Sequence, residues 1–178
     1  RGRSLPWVRY SARMHDLPNP SADLDEPFEL VSPEARADFI VVCVHASNAL
    51  PPEYGTLGLD PAEFRRHIAF DIGAAGVARR LAEALSAPAV LGRYSRLLID
   101  LNRGEDDPTI VMKLSDGAIV PGNRDVDACK DKGEFERRIA LFHAPYHAAI
   151  ERLIARARAR DIVPVIVSVH SFTPRWRS

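Results

Sequence analysis

Residues 39–48 read FIVVCVHASN, an apolar run that stops on a histidine followed by small residues. From Phe39 to Val44 nothing polar alternates with the apolar side chains, which predicts a strand covered on both faces, the pattern of a parallel sheet. The same grammar returns at 163–174, VPVIVSVHSFTP, and predicts a strand over 163–169 that stops on His170. Working outward, residues 46–59 read as a loop punctuated by Pro51, Pro52, Gly55 and Gly58. A helix is expected to start at DPAEF, where Asp60 can cap, Pro61 suits the first helical position and Glu63 sits three residues past the cap. Phe64, Ile68, Val77, Leu81 and Leu85 would form its buried stripe, with Gly73 and Gly76 dividing it into two helices near Asp71.

Residues 88–103, PAVLGRYSRLLIDLNR, return to strand character with Leu97–Ile99 as the apolar heart. TIVMKL (109–114) reads as a further short strand ahead of the turn-rich SDGAIVPGN. From Gly133 the pattern is helical: Phe135, Ile139, Phe142, Tyr146, Ile150 and Leu153 recur at three- and four-residue steps. Pro145 should kink or divide that helix. Strands alternating with helices predict an α/β fold, a largely parallel sheet with helices on both faces. Residues 1–37 carry several prolines and no sustained period, so they read as an irregular lead-in to a single domain over 38–178.

The composition narrows the function classes. With 24 Lys+Arg against 24 Asp+Glu, the chain has no general attraction for nucleic acid. No run approaches the roughly 18 apolar residues of a membrane span, and the N-terminus lacks the apolar core of a signal peptide. Cys43 and Cys129 give no disulfide framework, so a reducing cytoplasm is the expected compartment. The cations are almost all arginine, the planar binder of carboxylates.

In open α/β sheets ligands bind beyond the carboxyl ends of the strands. If the strands ending in His45, in DLNR (100–103) and in His170 are parallel neighbours, two imidazoles and an Asp-x-Asn-Arg turn meet at one edge. Two histidines and a carboxylate are a usual ligand set for a hydrolytic zinc with an open fourth position. The duller alternative is that each histidine is a solvated or hydrogen-bonded strand end. His143, His147 and Glu151 mimic a helical zinc pattern, but Pro145 between them favours packing or substrate contact, and Tyr146 and His147 are candidate substrate contacts. His67 and Asp71 stand four apart and suit a plain helix-face pair. Cys43 reads as a small buried apolar residue. Ser47, Ser95 and Ser171 lie outside any G-x-S-x-G motif, which argues against a serine hydrolase.

Taken in order, VCVHASNALP, GTLGL, HIAFDIGAAGVARRLAEAL, YSRLLIDLNR, SDGAIVPGN, FHAPYHAAIERLI and HSFTP resemble the N-formylglutamate amidohydrolase family over about residues 39–174. The resemblance implies a three-layer α/β/α fold with a mixed sheet, phosphorylase/hydrolase-like, akin to zinc carboxypeptidases and aspartoacylases. It implies metal-dependent hydrolysis of a small-molecule N-acyl amino acid such as N-formylglutamate, giving formate and glutamate. It places His45 and His170 on zinc or another divalent metal, with Asp71 as the third ligand and Glu53 as its rival. Asn102 and Arg103 resemble the dyad that grips a substrate carboxylate, Arg96 is a second cation for a dicarboxylate, and Asp100 is expected to orient an arginine. In the family the chain continues past HSFTP to a later glutamate that activates water. That puts the expected base beyond residue 178 and leaves Glu53 as the fallback. The alternative reading is a non-catalytic domain of the same fold that binds metal or carboxylate.

Overall fold

The computed structural model describes residues 26–172. Its centre is a four-stranded sheet in the order β1-β3-β2-β6, built from β1 (Phe28–Val31), β2 (Phe39–Cys43), β3 (Ala89–Gly92) and β6 (Val165–Ser168). β2 pairs in parallel with both β3 and β6, whereas β1 pairs antiparallel with β3, so the sheet is mixed. Helix α1 (Ala74–Ala84) lies on one face, and α2 (Lys132–Arg138) and α3 (Ala144–Arg158) stand on the other side. A small antiparallel hairpin, β4 (Leu114–Ser115) and β5 (Ala118–Ile119), stands apart from the main sheet.

The unbroken apolar run of β2 follows from this layering. Val41 and Cys43 face the small side chains Ala74, Ala78 and Ala82 of α1, which let the helix approach closely. Ile40, Val42 and Val44 face Tyr146, Ala149 and Leu153 of α3. Both faces are dry, so neither can carry a polar alternate. Cys43 is fully buried, and burial, followed by the negative charge of Asp71, pushes its thiol up to about 11. A thiol reagent at pH 8 is therefore expected to modify the exposed Cys129 alone in the native chain, and both cysteines in denaturant. Rapid labelling of Cys43 under native conditions would mean that the α1 layer opens.

Several expectations need correction. The supposed irregular lead-in contains a strand, since Phe28–Val31 forms one edge of the sheet; residues 1–25 lie outside the described part. Leu97–Ile99 are buried but form a turn and not a strand; the strand of that segment ends at Gly92. Gly92 lies hard against the backbone just past β2, where a Cβ would stand 2.3 Å from the Val44 carbonyl oxygen. The strand expected at 109–114 shrinks to Leu114–Ser115. The helix at Asp60 is a short 3-10 turn (Pro61–Arg65), with Asp60 accepting from Ala62 N as its cap. The break near Asp71 is real: α1 begins only at Ala74, behind Gly73 in the left-handed region at φ 81°. Its buried stripe is alanine, and Val77 is exposed. Pro145 divides the last helical stretch as expected, and the turn before it, Ile139–His143, is a π-helix that takes up the mismatch.

The expected helical cover is also incomplete at one edge. α1 packs on β2 and β3 and α3 on β3, leaving Val165 and Ile166 of the edge strand β6 half-exposed. Among the described residues no helix is long and apolar enough to cross a membrane.

Candidate metal centre

Because β2 and β6 are adjacent and parallel, the residues just past their carboxyl ends meet. His45 follows β2, His170 follows β6, and their ring centroids stand 5.7 Å apart. Asp71 reaches the same point from the break before α1, tied there by its backbone N–H donating to the His45 carbonyl at 2.9 Å. Potential ligand atoms of His45, Asp71 and His170 lie within 4.8 Å of one another, with His45 and Asp71 buried.

Each imidazole is gripped at its far nitrogen. His45 Nε2 donates to Asp100 Oδ1 at 2.6 Å, and His170 Nε2 stands 3.0 Å from Ser168 Oγ. That leaves both Nδ1 atoms aimed at Asp71 Oδ2, at 3.7 Å from His45 and 3.1 Å from His170. His45 Nδ1 is buried without a hydrogen-bond partner. With Nε2–H committed to a carboxylate, Nδ1 keeps its lone pair, the tautomer a metal ligand needs. Ligands about 2.1 Å from one tetrahedral ion stand roughly 3.4 Å apart, which the two Asp71 distances bracket. The three residues thus fit a zinc-type ion, and the orphaned nitrogen is the atom that such an ion would satisfy.

The charges around the site are strongly coupled. Burial works against ionised Asp100, but its hydrogen bond to His45, the His45 charge and Arg96 prevail and hold its carboxyl at about 2. Burial likewise opposes ionised Asp71, and the neighbouring His45, the Ser171 backbone N–H and His170 keep it below the ordinary carboxylate range. Burial alone would lower the His45 pKa; Asp100 and Asp71 outweigh it and raise it.

Asp100 also organises the cations. Its Oδ2 accepts from Arg96 Nη2 at 2.8 Å and stands 3.7 Å from Arg103 Nε, while its Oδ1 accepts from the Asn102 backbone at 2.9 Å. Arg96 Nη1 lies 4.0 Å from Asp71 Oδ1, and Arg103 Nη1 donates to Asp107 at 3.0 Å. The Nε atoms of both arginines are buried without a hydrogen-bond partner. Two guanidinium groups therefore share one carboxylate beside the ligand cluster. The Asn102 side chain is exposed on the same turn.

Other candidates fall elsewhere. Glu53 pairs with Arg137 at 3.3 Å and lines a cavity with Tyr54, Glu134 and Arg138, away from the His–Asp–His group. Tyr146 is fully buried, its hydroxyl 3.4 Å from the Val90 carbonyl, which makes it a core residue and not a substrate contact. His147 donates from Nε2 to the Leu101 carbonyl at 3.1 Å. His67 pairs with Asp116, not Asp71. The Ser95 hydroxyl is buried and donates to the Ala69 carbonyl, which removes it as a nucleophile. Sequence reasoning assigned Asp100 to an arginine and missed its bond to His45. It also missed Ser168, although the i, i+2 spacing to His170 on a strand would have placed both on one face.

A family model described as N-formylglutamate amidohydrolase matches residues 37–178. A solved gene product of Agrobacterium tumefaciens is 36% identical, superimposes with a TM-score of 0.80 and is matched over 85% of this chain and 58% of its own. The crystal structure of an N-formylglutamate amidohydrolase from Ralstonia eutropha, 20% identical with a TM-score of 0.58, shares the fold over 85% of this chain and 63% of its own. The chain thus spans less than two thirds of the length of either structure. None of the curated proteins matches it.

Proposed function

We propose, from the premise that this chain belongs to the N-formylglutamate amidohydrolase family, that it hydrolyses the amide of an N-acylated dicarboxylic amino acid at a zinc held by His45, Asp71 and His170. The observation that carries this reading is the juxtaposition of that ligand set, with its orphaned His45 Nδ1, and two arginines joined through Asp100. A zinc ion supplies Lewis-acid polarisation of the scissile carbonyl and makes water nucleophilic near neutral pH. The remaining work belongs to the side chains. Asp100 holds His45 in its ligating tautomer and at the same time keeps Arg96 and Arg103 facing the site. Each guanidinium presents a rigid donor fork suited to a carboxylate, and Asn102 adds a neutral donor from the same turn. Asp71, Asp100 and Asp107 offset the two arginines, so a divalent ion tips the local balance positive and favours an anionic substrate.

The test is release of primary amine by the zinc-loaded chain from N-formyl and N-acetyl derivatives of glutamate, glutamine and leucine. The glutamate compounds are expected to exceed the neutral ones in kcat/KM by about tenfold or more, the worth of one charge-assisted contact. Arg103→Ala should erase that preference. Binding of zinc and dicarboxylate without turnover would support the non-catalytic reading instead. Hydrolysis indifferent to side-chain charge would overturn the assignment of the arginines.

A further inference from the structure

Among the described residues no strand pairs with the turn that carries Asp100, Asn102 and Arg103. It is closed by Arg103 N–H donating to the Asp100 carbonyl at 3.1 Å, and by Asn102 N–H donating to the Asp100 carboxylate. Two of its carbonyls point away from the site, toward the helical layer, and each meets an imidazole. His143 Nε2 donates to the Arg103 carbonyl at 2.8 Å, and His147 Nε2 donates to the Leu101 carbonyl at 3.1 Å. The rings lie one helical turn apart with centroids 4.4 Å from each other. His143 is buried and closes the π-helical turn Ile139–His143, a feature often found at functional sites.

We infer that His143 and His147 are positioning residues, a pair of imidazole donors that fixes the 100–103 turn and so sets where Arg103 and Asn102 meet a ligand carboxylate. A carbonyl can only accept, so each Nε2 carries a proton and serves as the donor. Packing alone does not explain the arrangement, because an apolar side chain at either position would leave a turn carbonyl without its donor. The inference deepens the reading of a carboxylate-binding amidohydrolase and rests on it for the ligand.

The experiment uses the full chain and four variants, His143→Leu, His143→Gln, His147→Leu and His147→Gln, with glutarate as the probe. Glutarate affinity is read by calorimetry, zinc affinity by chelator competition, and the backbone resonances of Asn102 and Arg103 by NMR. Either leucine variant is expected to weaken glutarate about tenfold, the scale of one lost hydrogen bond, with zinc affinity unchanged within twofold. Glutamine, whose amide can donate from near the Nε2 position, should restore affinity to within about threefold of wild type. Leucine variants that melt normally and bind glutarate like wild type would overturn the inference. A wild-type chain that binds no glutarate would instead overturn the reading of the preceding section. The clamp would then be judged by the Asn102 and Arg103 resonances, which must shift in the leucine variants and return in the glutamine ones. His147 is half-buried, so its variants keep the test available if those of buried His143 fail to fold.

Discussion

On the proposed zinc site, Asp71→Asn is expected to lower zinc affinity by at least about a hundredfold and to abolish the proposed hydrolysis with it. Asp71 Oδ2 is the atom on which the site converges, 3.7 Å from His45 Nδ1 and 3.1 Å from His170 Nδ1, and it also accepts from the Ser171 backbone at 3.2 Å. An asparagine keeps the shape and removes the charge, leaving two neutral imidazoles as the principal ligands. Asp100→Asn provides the scale. It leaves His45, Asp71 and His170 in place but weakens the bond that orients His45, and a partner of this kind is worth roughly ten- to a hundredfold in metal affinity. The expected order of zinc affinity is therefore wild type, then Asp100→Asn, then Asp71→Asn. Chelator competition measures it directly. Equal zinc stoichiometry and affinity in wild type and Asp71→Asn would show that the carboxylate is not a ligand.

The second large effect lies behind the site. Arg138→Met is expected to destabilise the chain by about 3–5 kcal/mol, the usual cost of removing one partner from a buried ionic network. Arg138 is 2% exposed and donates to the Leu98 carbonyl at 2.9 Å, to Asn123 Oδ1 at 2.7 Å and to Glu134 at 2.7 Å. Its guanidinium also stands 4.9 Å from the Tyr54 ring centroid. Asn123 in turn donates to the carbonyls of Leu97 and Met112, both at 2.8 Å. The pair thus serves the backbone carbonyls of Leu97, Leu98 and Met112, and methionine at 138 would orphan the Leu98 carbonyl and Asn123 Oδ1 and leave Glu134 without this partner. Urea denaturation reads the loss as a lower midpoint at unchanged slope. A loss below about 1 kcal/mol would mean that water replaces the guanidinium.

The same network explains why Leu97–Ile99 looked like a strand. Apolar periodicity reports burial, and those residues are buried. Whether their carbonyls meet a neighbouring strand or the side chains of Arg138 and Asn123 is settled by groups 26 and 40 positions further along the chain. β1 was overlooked for a related reason: it is short, lies among prolines, and is a strand only because β3 offers it an antiparallel edge. In α1 the large apolar residues marked only the margin of the packed face: Leu81 and Leu85 pack against it and Val77 is exposed, while close approach to the sheet selects alanine for its centre. Tyr146 and Glu53 show the same limit, because residue type alone does not say which wall of the fold a side chain lines.

The local pattern determined a good deal by itself. The unalternating runs of β2 and β6, each stopped by a histidine, and the helical stretches between them predicted an α/β sheet with His45 and His170 at strand ends, and the glycines at 73 and 76 marked a break near Asp71. These are properties of neighbouring residues, so they are written in short-range periodicity. Tertiary structure alone decided that β2 and β6 are adjacent and parallel, which brings the two imidazole rings within 5.7 Å. It also decided that Asp100 reaches back across 55 positions to His45 and that His143 and His147 hold the turn beside it. Those contacts depend on register and on which helix covers which face, and the free energy that selects them comes from the burial of the whole sheet, not from any one segment.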